Sequence, residues 1–290
     1  MRAVSRVLAV YRATIAGARR RFSAFDHFWL ARERYGATHG PRLAAAIAYY
    51  GFFAAFAISL VAFSILGYML AADKAALDAA TDYLQENLPY LSVESITKAR
   101  TTVAVVSLVG LVLTGVGWVD AMRSAQRAMW QLDQQPGHLV VRRVIDLGML
   151  LGLGLLLALS LWVTNGIASV APRWIGPILA VLVNLVMSTG LLVAVPRLRV
   201  TPRRMVTPVL LVGLGITLLT TVGRFYVGHT ANNPAYRVVS AAAALLLFLN
   251  LFSQLLLFGA ALGATSPHGT VRDLARRRSS VPVPQPSTVD

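Results

Sequence analysis

The chain has 290 residues, 56% of them hydrophobic, no cysteine, and a formal charge of +15 from 27 basic and 12 acidic residues. The absence of cysteine excludes disulfides and thiolate metal sites, and hydrophobic residues gathered in long runs exclude an ordinary water-soluble domain. The positive charge invites a nucleic-acid reading, but it is dispersed along the flanks of the apolar runs, where basic residues meet anionic lipid headgroups. No nucleic-acid partner is expected.

Residues 1–42 read as an interfacial arm. Val4, Leu8, Tyr11 and Ile15 step by four and three and so share one helix face, with Arg2, Arg6, Arg12 and Arg19 to Arg21 around it. Phe22, Phe25, Phe28 and Trp29 add an aromatic stripe. A basic helix with an aromatic face lies in the headgroup layer and orients the first span. Arg12 interrupts the early apolar stretch, so no cleavable signal is expected. Gly36, Gly40 and Pro41 then break the arm.

Six apolar runs follow, at about 43–71, 101–119, 145–170, 175–195, 205–227 and 238–264. A bilayer core about 30 Å thick takes roughly 20 apolar residues as a helix, and backbone in lipid must satisfy its own hydrogen bonds. The expected fold is therefore all-α: a bundle of six transmembrane helices behind an amphipathic arm. After the first run, Leu77, Ala80, Tyr83 and Leu88 form a stripe among Asp73, Asp78, Asp82 and Glu86, read as a short surface helix that Pro89 ends. Beyond the second run a helix continues through Asp120, Arg123, Gln126, Arg127 and Gln131, with Met122, Met129 and Trp130 on its apolar side, until Pro136 and Gly137. Asp120 and Arg123 make an i,i+3 pair. The tail, 265–290, holds Pro267, Gly269, Arg276 to Arg278 and a Ser/Pro-rich end, and reads as disordered.

Charge sets the expected topology. With the N-terminus inside, residues 1–42, 120–144, 196–204 and the tail carry 9, 4, 4 and 4 basic residues, 21 of the 27. Seven of the 12 acids lie on the same side, leaving +14 inside and +1 outside. The positive-inside rule then places both termini in the cytoplasm.

Catalytic chemistry needs a cluster, and none is visible. His27, His39, His138, His229 and His268 stand apart, without metal-ligand spacing, so no metal, cofactor or enzymatic activity is expected. Asp146, at the mouth of the third span, is expected to form an interfacial ion pair with Arg142 four residues earlier, with a proton or coupling-ion role as the sharper alternative. Polar residues deeper in the runs are better pointers: Asn184, Ser188 and Thr189 in the fourth, Thr217, Thr220, Thr221 and Arg224 in the fifth, Asn250, Ser253 and Gln254 in the sixth, and Tyr49 and Tyr50 in the first. Such groups bond between helices or line a polar cavity. Gly148-x-x-x-Gly152 and Gly259-x-x-x-Gly263 permit close helix crossing, by default inside the bundle, with a homo-oligomer contact as the alternative.

Residues 43–56, Leu-Ala-Ala-Ala-Ile-Ala-Tyr-Tyr-Gly-Phe-Phe-Ala-Ala-Phe, together with Trp118-Val-Asp-Ala-Met-Arg-Ser-Ala-Gln-Arg-Ala-Met-Trp130 and the Arg142-Arg143 entry to the third run, resemble the YihY/BrkB family of bacterial inner-membrane proteins. The order of segments matches over about 20–265. Where many members carry a proline after the tyrosines this chain has Ala57, so the first span is expected to be straight. The resemblance implies a plasma-membrane protein linked to envelope integrity and often described as a transporter, and it carries over no catalytic residues. A ribonuclease label attached to the family finds no acidic cluster or paired histidines here. The expectation is a transporter or lipid-handling protein for an anionic or amphipathic solute. Tyr49, Tyr50, Asn184, Arg224, Asn250 and Gln254 are expected to line its pathway, with Arg123 and Arg127 gating it or binding headgroups. The rival is a non-catalytic scaffold for an envelope partner protein.

Overall fold

The structure is a computed structural model and describes residues 17, 19–72, 93–168, 175–230 and 237–275. In chain order it runs α1 (Ser23–Ala37), α2 (Gly40–Ala72), α3 (Val93–Met129), α4 (Leu139–Ala168), α5 (Ile175–Thr189), β1 (Leu198–Val200), α6 (Pro202–Thr230), α7 (Arg237–Thr265) and β2 (Val271–Asp273). The expected stripes at 4–15 and 77–88 fall outside the described residues.

Stretches of α2, α3, α6 and α7, at Gly40–Val61, Thr101–Met129, Pro202–Gly223 and Val239–Thr265, are long and apolar enough to cross a membrane, and Ile178–Ala194 forms a shorter apolar helix. The runs at 43–71, 101–119, 205–227 and 238–264 fall within helices; the third is helical to Ala168, the last described residue there, and the fourth is α-helical to Thr189 and π-helical to Ala194. The first is one unbroken helix, Gly40–Ala72. The second continues to Met129, as the Asp120–Gln131 pattern predicts. α5 ends in a π-helical turn, Gly190–Ala194.

Helices alternate in direction, so one end of the bundle collects the start of α2, the end of α3, the start of α4, the π turn, the start of α6 and the end of α7. This basic end is also where the core is dry. In α3, Val105, Val106, Leu108 and Leu113 are exposed whereas Val119, Met122 and Met129 are buried. In α7, Leu246 and Leu247 are exposed whereas Leu256, Leu257 and Ala260 are buried. Apolar side chains facing lipid cost nothing, so tight packing is confined to the end where polar groups must be enclosed. α1 lies across that end on α7, with the Phe28 and Phe258 rings 4.9 Å apart and His27 Nε2 donating to the Leu262 carbonyl at 2.9 Å. Of its aromatic stripe, Phe22, Phe25 and Phe28 are exposed and Trp29 is half-buried.

The tail departs from expectation. Residues 266–275 are ordered, and β2 pairs antiparallel with β1, Arg199 opposite Arg272. Three residues of Val-Arg-Asp carry no period to read; β2 is held by contacts from distant helices. Residues 276–290 lie outside the described residues.

Candidate functional site: a buried guanidinium cluster and a lateral groove

On α3 the buried positions Val119, Met122, Arg123, Gln126 and Arg127 recur at three and four residues, one face of the helix. That stripe turns two arginines and a glutamine inward. Arg123 Nη1 donates to both Asp146 oxygens, at 2.5 and 2.6 Å, and its Nη2 to Asp120. Asp146 also accepts from Arg197 Nη2 at 2.9 Å. Arg197 adopts a left-handed backbone, φ 59°, a conformation disfavoured for side chains with a Cβ. Its turn sends the guanidinium back to α4 while its carbonyl accepts from the Leu274 amide at 3.1 Å.

Arg127 ties three connections together. Its Nε donates to the Asp133 carbonyl at 2.5 Å, its Nη1 to the Pro196 carbonyl at 2.9 Å, and its Nη1 and Nη2 to the Asp273 carboxylate at 3.0 and 2.6 Å. Other arginines close helix ends, where the last carbonyls lack partners. Arg34 donates to the Met129 carbonyl at 3.1 Å, and Arg204 to Gly263 and Ala264, both at 2.8 Å. Arg204 also lies over the Trp130 ring.

Two expectations are corrected here. Asp146 is 1% exposed and pairs with Arg123 and Arg197. Arg142 instead donates to the carbonyl and side-chain oxygen of Gln135, both at 3.1 Å. An arginine four residues before an acid is the weaker order of an i,i+4 pair, and the connection captures it. Arg123 and Arg127, expected to bind headgroups or to gate the pathway, are both 0% exposed, which removes them from the headgroups: the α3 stripe faces inward, and their partners come from α3 itself, from α4 and from residues 133, 196 and 273.

The intramembrane polar residues settle into local pairs. Asn184 Nδ2 donates to Thr217 Oγ1 at 2.9 Å, and Ser188 to the Val209 carbonyl at 3.2 Å, both joining α5 to α6. Gln254 Nε2 donates to Asn250 Oδ1 at 2.5 Å within α7. Tyr49 and Tyr50 meet edge to face, 5.9 Å apart, and both are substantially exposed on the α2 flank. Arg224 lies in α6, its side chain outside the described residues. Of these residues, Asn184 is joined to a neighbouring helix through Thr217, whereas Gln254 with Asn250 and Tyr49 with Tyr50 pair within their own helices. Gly259 and Gly263 face Val212 and Trp130 inside the bundle, whereas nothing approaches Gly148 or Gly152.

Of the expected residues, Tyr50 lines a groove of about 740 Å³ between α2, α3 and α4. Its walls include Leu43, Val112, Leu113, Val116, Val144 and Leu147; Asp120, Ser124 and Arg143 occupy its basic end. Gly117 lets the Tyr50 ring lie close against α3: a Cβ there would stand 3.2 Å from the ring, which would have to shift by a few tenths of an ångström. The Arg143 guanidinium faces Asp120 at 3.3 Å, and the Arg143 side chain remains 43% exposed. Sequence reasoning took Arg143 only as part of the entry to the third run, and assigned no site role to Arg197, Asp273 or Ser124. Their signal was the α3 stripe, whose inward arginines demanded acidic or carbonyl partners. A second pocket of about 580 Å³ at the same end is lined by Thr38, His39, Arg42 and Gln131 among others. Among the described residues no three His, Cys, Asp or Glu side chains gather to hold a metal.

Comparison with known proteins bears on this arrangement. The chain is 24% identical over 273 residues to the inner membrane protein YhjD of Escherichia coli (strain K12), covering 83% of this chain and 81% of that protein. It is 25% identical over 278 residues to an uncharacterized protein of Dickeya dadantii (strain 3937), covering 84% of each. No solved structure matches it. The family description Virulence factor BrkB matches residues 31–281, a span that holds all the clustered arginines from Arg34 to Arg204, their partner Asp273, and the whole groove. With its apolar helices of membrane-crossing length, this chain is a membrane protein of the Virulence factor BrkB family.

Proposed function

We propose that the protein is a lipid-handling protein of the bacterial inner membrane, which receives an amphipathic, anionic lipid in the groove between α2, α3 and α4. The observation that carries this reading is the polarity of the groove: apolar along α3 and α4, with Asp120, Ser124 and Arg143 at one end. An acyl chain fits the walls, and a headgroup oxyanion fits the exposed half of the Arg143 guanidinium, which offers donors in a fork. In this reading the chain crosses the membrane six times, and the basic end lies at the cytoplasmic leaflet with both termini inside, following the distribution of arginines. The Escherichia coli relative is an inner membrane protein.

The test uses a phospholipid with a photoactivatable acyl chain in reconstituted bilayers. Crosslinks are expected to concentrate at 112–116 and 144–147, and Val116→Trp, which fills the groove, to remove most of them. Crosslinks spread evenly over all lipid-facing helices, and indifferent to Val116→Trp, would exclude the groove as a site.

A scaffold is the second reading, and the sealed guanidinium cluster favours it. Asn184 with Thr217 and Gln254 with Asn250 satisfy one another, and the basic end is tied shut. Exchange separates the two: a groove lipid displaced by unlabelled lipid supports handling, and one that never exchanges supports a static scaffold.

A further inference from the structure

β1 and β2 pair over only three residues each, and a two-stranded ribbon that short has little stability of its own. Its two faces are opposed in character. Inward, Leu198 is 2% exposed, and Asp273, its Cα partner, holds Arg127. Outward, Arg199 and Arg272 are Cα partners, both exposed. Side chains directly opposite on one face of an antiparallel pair are about 5 Å apart at Cβ, and like charges there push the strands apart. Among the described residues neither guanidinium has an ion pair or hydrogen-bond partner. An inward ion pair closes this ribbon, with hydrogen bonds from Thr270 to Thr201 and from Leu274 to Arg197 at its ends, while the outward like-charge pair works against them, and no acidic side chain among the described residues pairs with either outward guanidinium.

Two guanidiniums at that spacing form a clamp for one phosphate, each presenting paired N–H donors to its oxygens. The ribbon joins the segments just before α6 and just after α7, where two apolar helices end, at the depth of the headgroup phosphates. We propose that Arg199 and Arg272 together bind the phosphate of an anionic phospholipid, and that this bound phosphate holds the β1–β2 ribbon closed over Arg127. The site shares no residue with the α2–α3–α4 groove. Bound lipid keeps Asp273 on Arg127 and the Pro196–Arg197 turn in place; without it, β2 loosens and the Arg127 guanidinium is uncovered.

The chain has no cysteine, so Val200→Cys with Val271→Cys, Cα partners in the register, reports closure by the rate of disulfide crosslinking. In nanodiscs of phosphatidylcholine alone and with phosphatidylglycerol added, the rate is expected to rise about two- to fourfold with the anionic lipid, the range that removing a like-charge cross-strand pair allows. Arg272→Thr in the same reporter is expected to crosslink at the higher rate in both discs, because repulsion and clamp disappear together. A parent rate indifferent to the anionic lipid overturns the proposal, as does a lipid effect that survives Arg199→Gln with Arg272→Thr. Inorganic phosphate in pure phosphatidylcholine discs should leave the rate unchanged; acceleration by phosphate alone overturns a lipid as the source. Both arginines are exposed and outside the helices, so unchanged elution and unchanged groove crosslinks verify that the variants fold. Groove crosslinks are read on α3 and α4, so failure of that reading and failure of this one are distinct results.

Discussion

Asp146 takes hydrogen bonds from Arg123 and Arg197 while almost wholly enclosed. Burying three charges is costly, and what makes it tolerable is that each finds a partner. Removing one partner is therefore worse than removing all. Asp146→Ala is expected to lower stability by about 3–5 kcal/mol, measured by unfolding in mixed micelles, because two guanidiniums are left facing an apolar side chain. Arg123→Met combined with Asp146→Leu and Arg197→Met should recover most of that loss. Gln126 behaves oppositely. It is fully buried and neither amide atom has a partner among the described residues, so Gln126→Met should be neutral or stabilising, by about 1–2 kcal/mol. A clear loss in that variant would reveal a hydrogen bond that the amide makes in the membrane.

At the level of helices, close approach decides which small residues matter. A Cβ at Gly259 would stand 2.4 Å from Val212 Cγ2, while one at Gly148 meets nothing within 4 Å. Gly259→Ala is expected to cost about 1–3 kcal/mol through forced separation of α7 from α6. Gly148→Ala should be neutral or gain up to about 1 kcal/mol from helix propensity. The same comparison indicates why the helices were legible in the sequence and their contacts were not. Apolar length and the Gly36–Pro41 break set where the helices lie, and the α3 pattern carried the second one on to Met129. Nothing in a run of leucines says which neighbour a helix meets, so the two glycine pairs looked alike and only one lies at a crossing. Asn184 announced that it needed a partner; that the partner is Thr217 depends on how α5 and α6 pack. Arg142 was read with Asp146 because they are neighbours in sequence, whereas Asp146 found arginines from α3 and from the segment after α5. The order in 266–275 was illegible for the same reason, since Arg127 lies 146 residues from Asp273.

For the whole molecule, charge distribution and geometry agree on one end. Arginines from α1, α3, α4, α6 and the 195–200 segment converge where the core is most deeply buried, while the helices beyond expose apolar side chains such as Val105, Leu108 and Leu247. Orientation is testable in the Cys-free chain: cysteines placed singly at the exposed positions Leu139 and Leu274 are expected to react with an impermeant thiol reagent only after the inner membrane is opened. Labelling of either in intact spheroplasts would reverse the topology and move the groove's polar end to the opposite leaflet.

Arg127 also sets an order of assembly. Its three partners come from residues 133, 196 and 273, and a ribosome delivers them in that sequence. While α3 waits in the translocon, one of its inward charges has only a backbone carbonyl nearby; the carboxylate that completes its fork arrives after every apolar helix has been made. A chain that stops short of residue 273 therefore leaves Arg127 with only the carbonyls of residues 133 and 196, so the contact that closes this end of the bundle is the last to form.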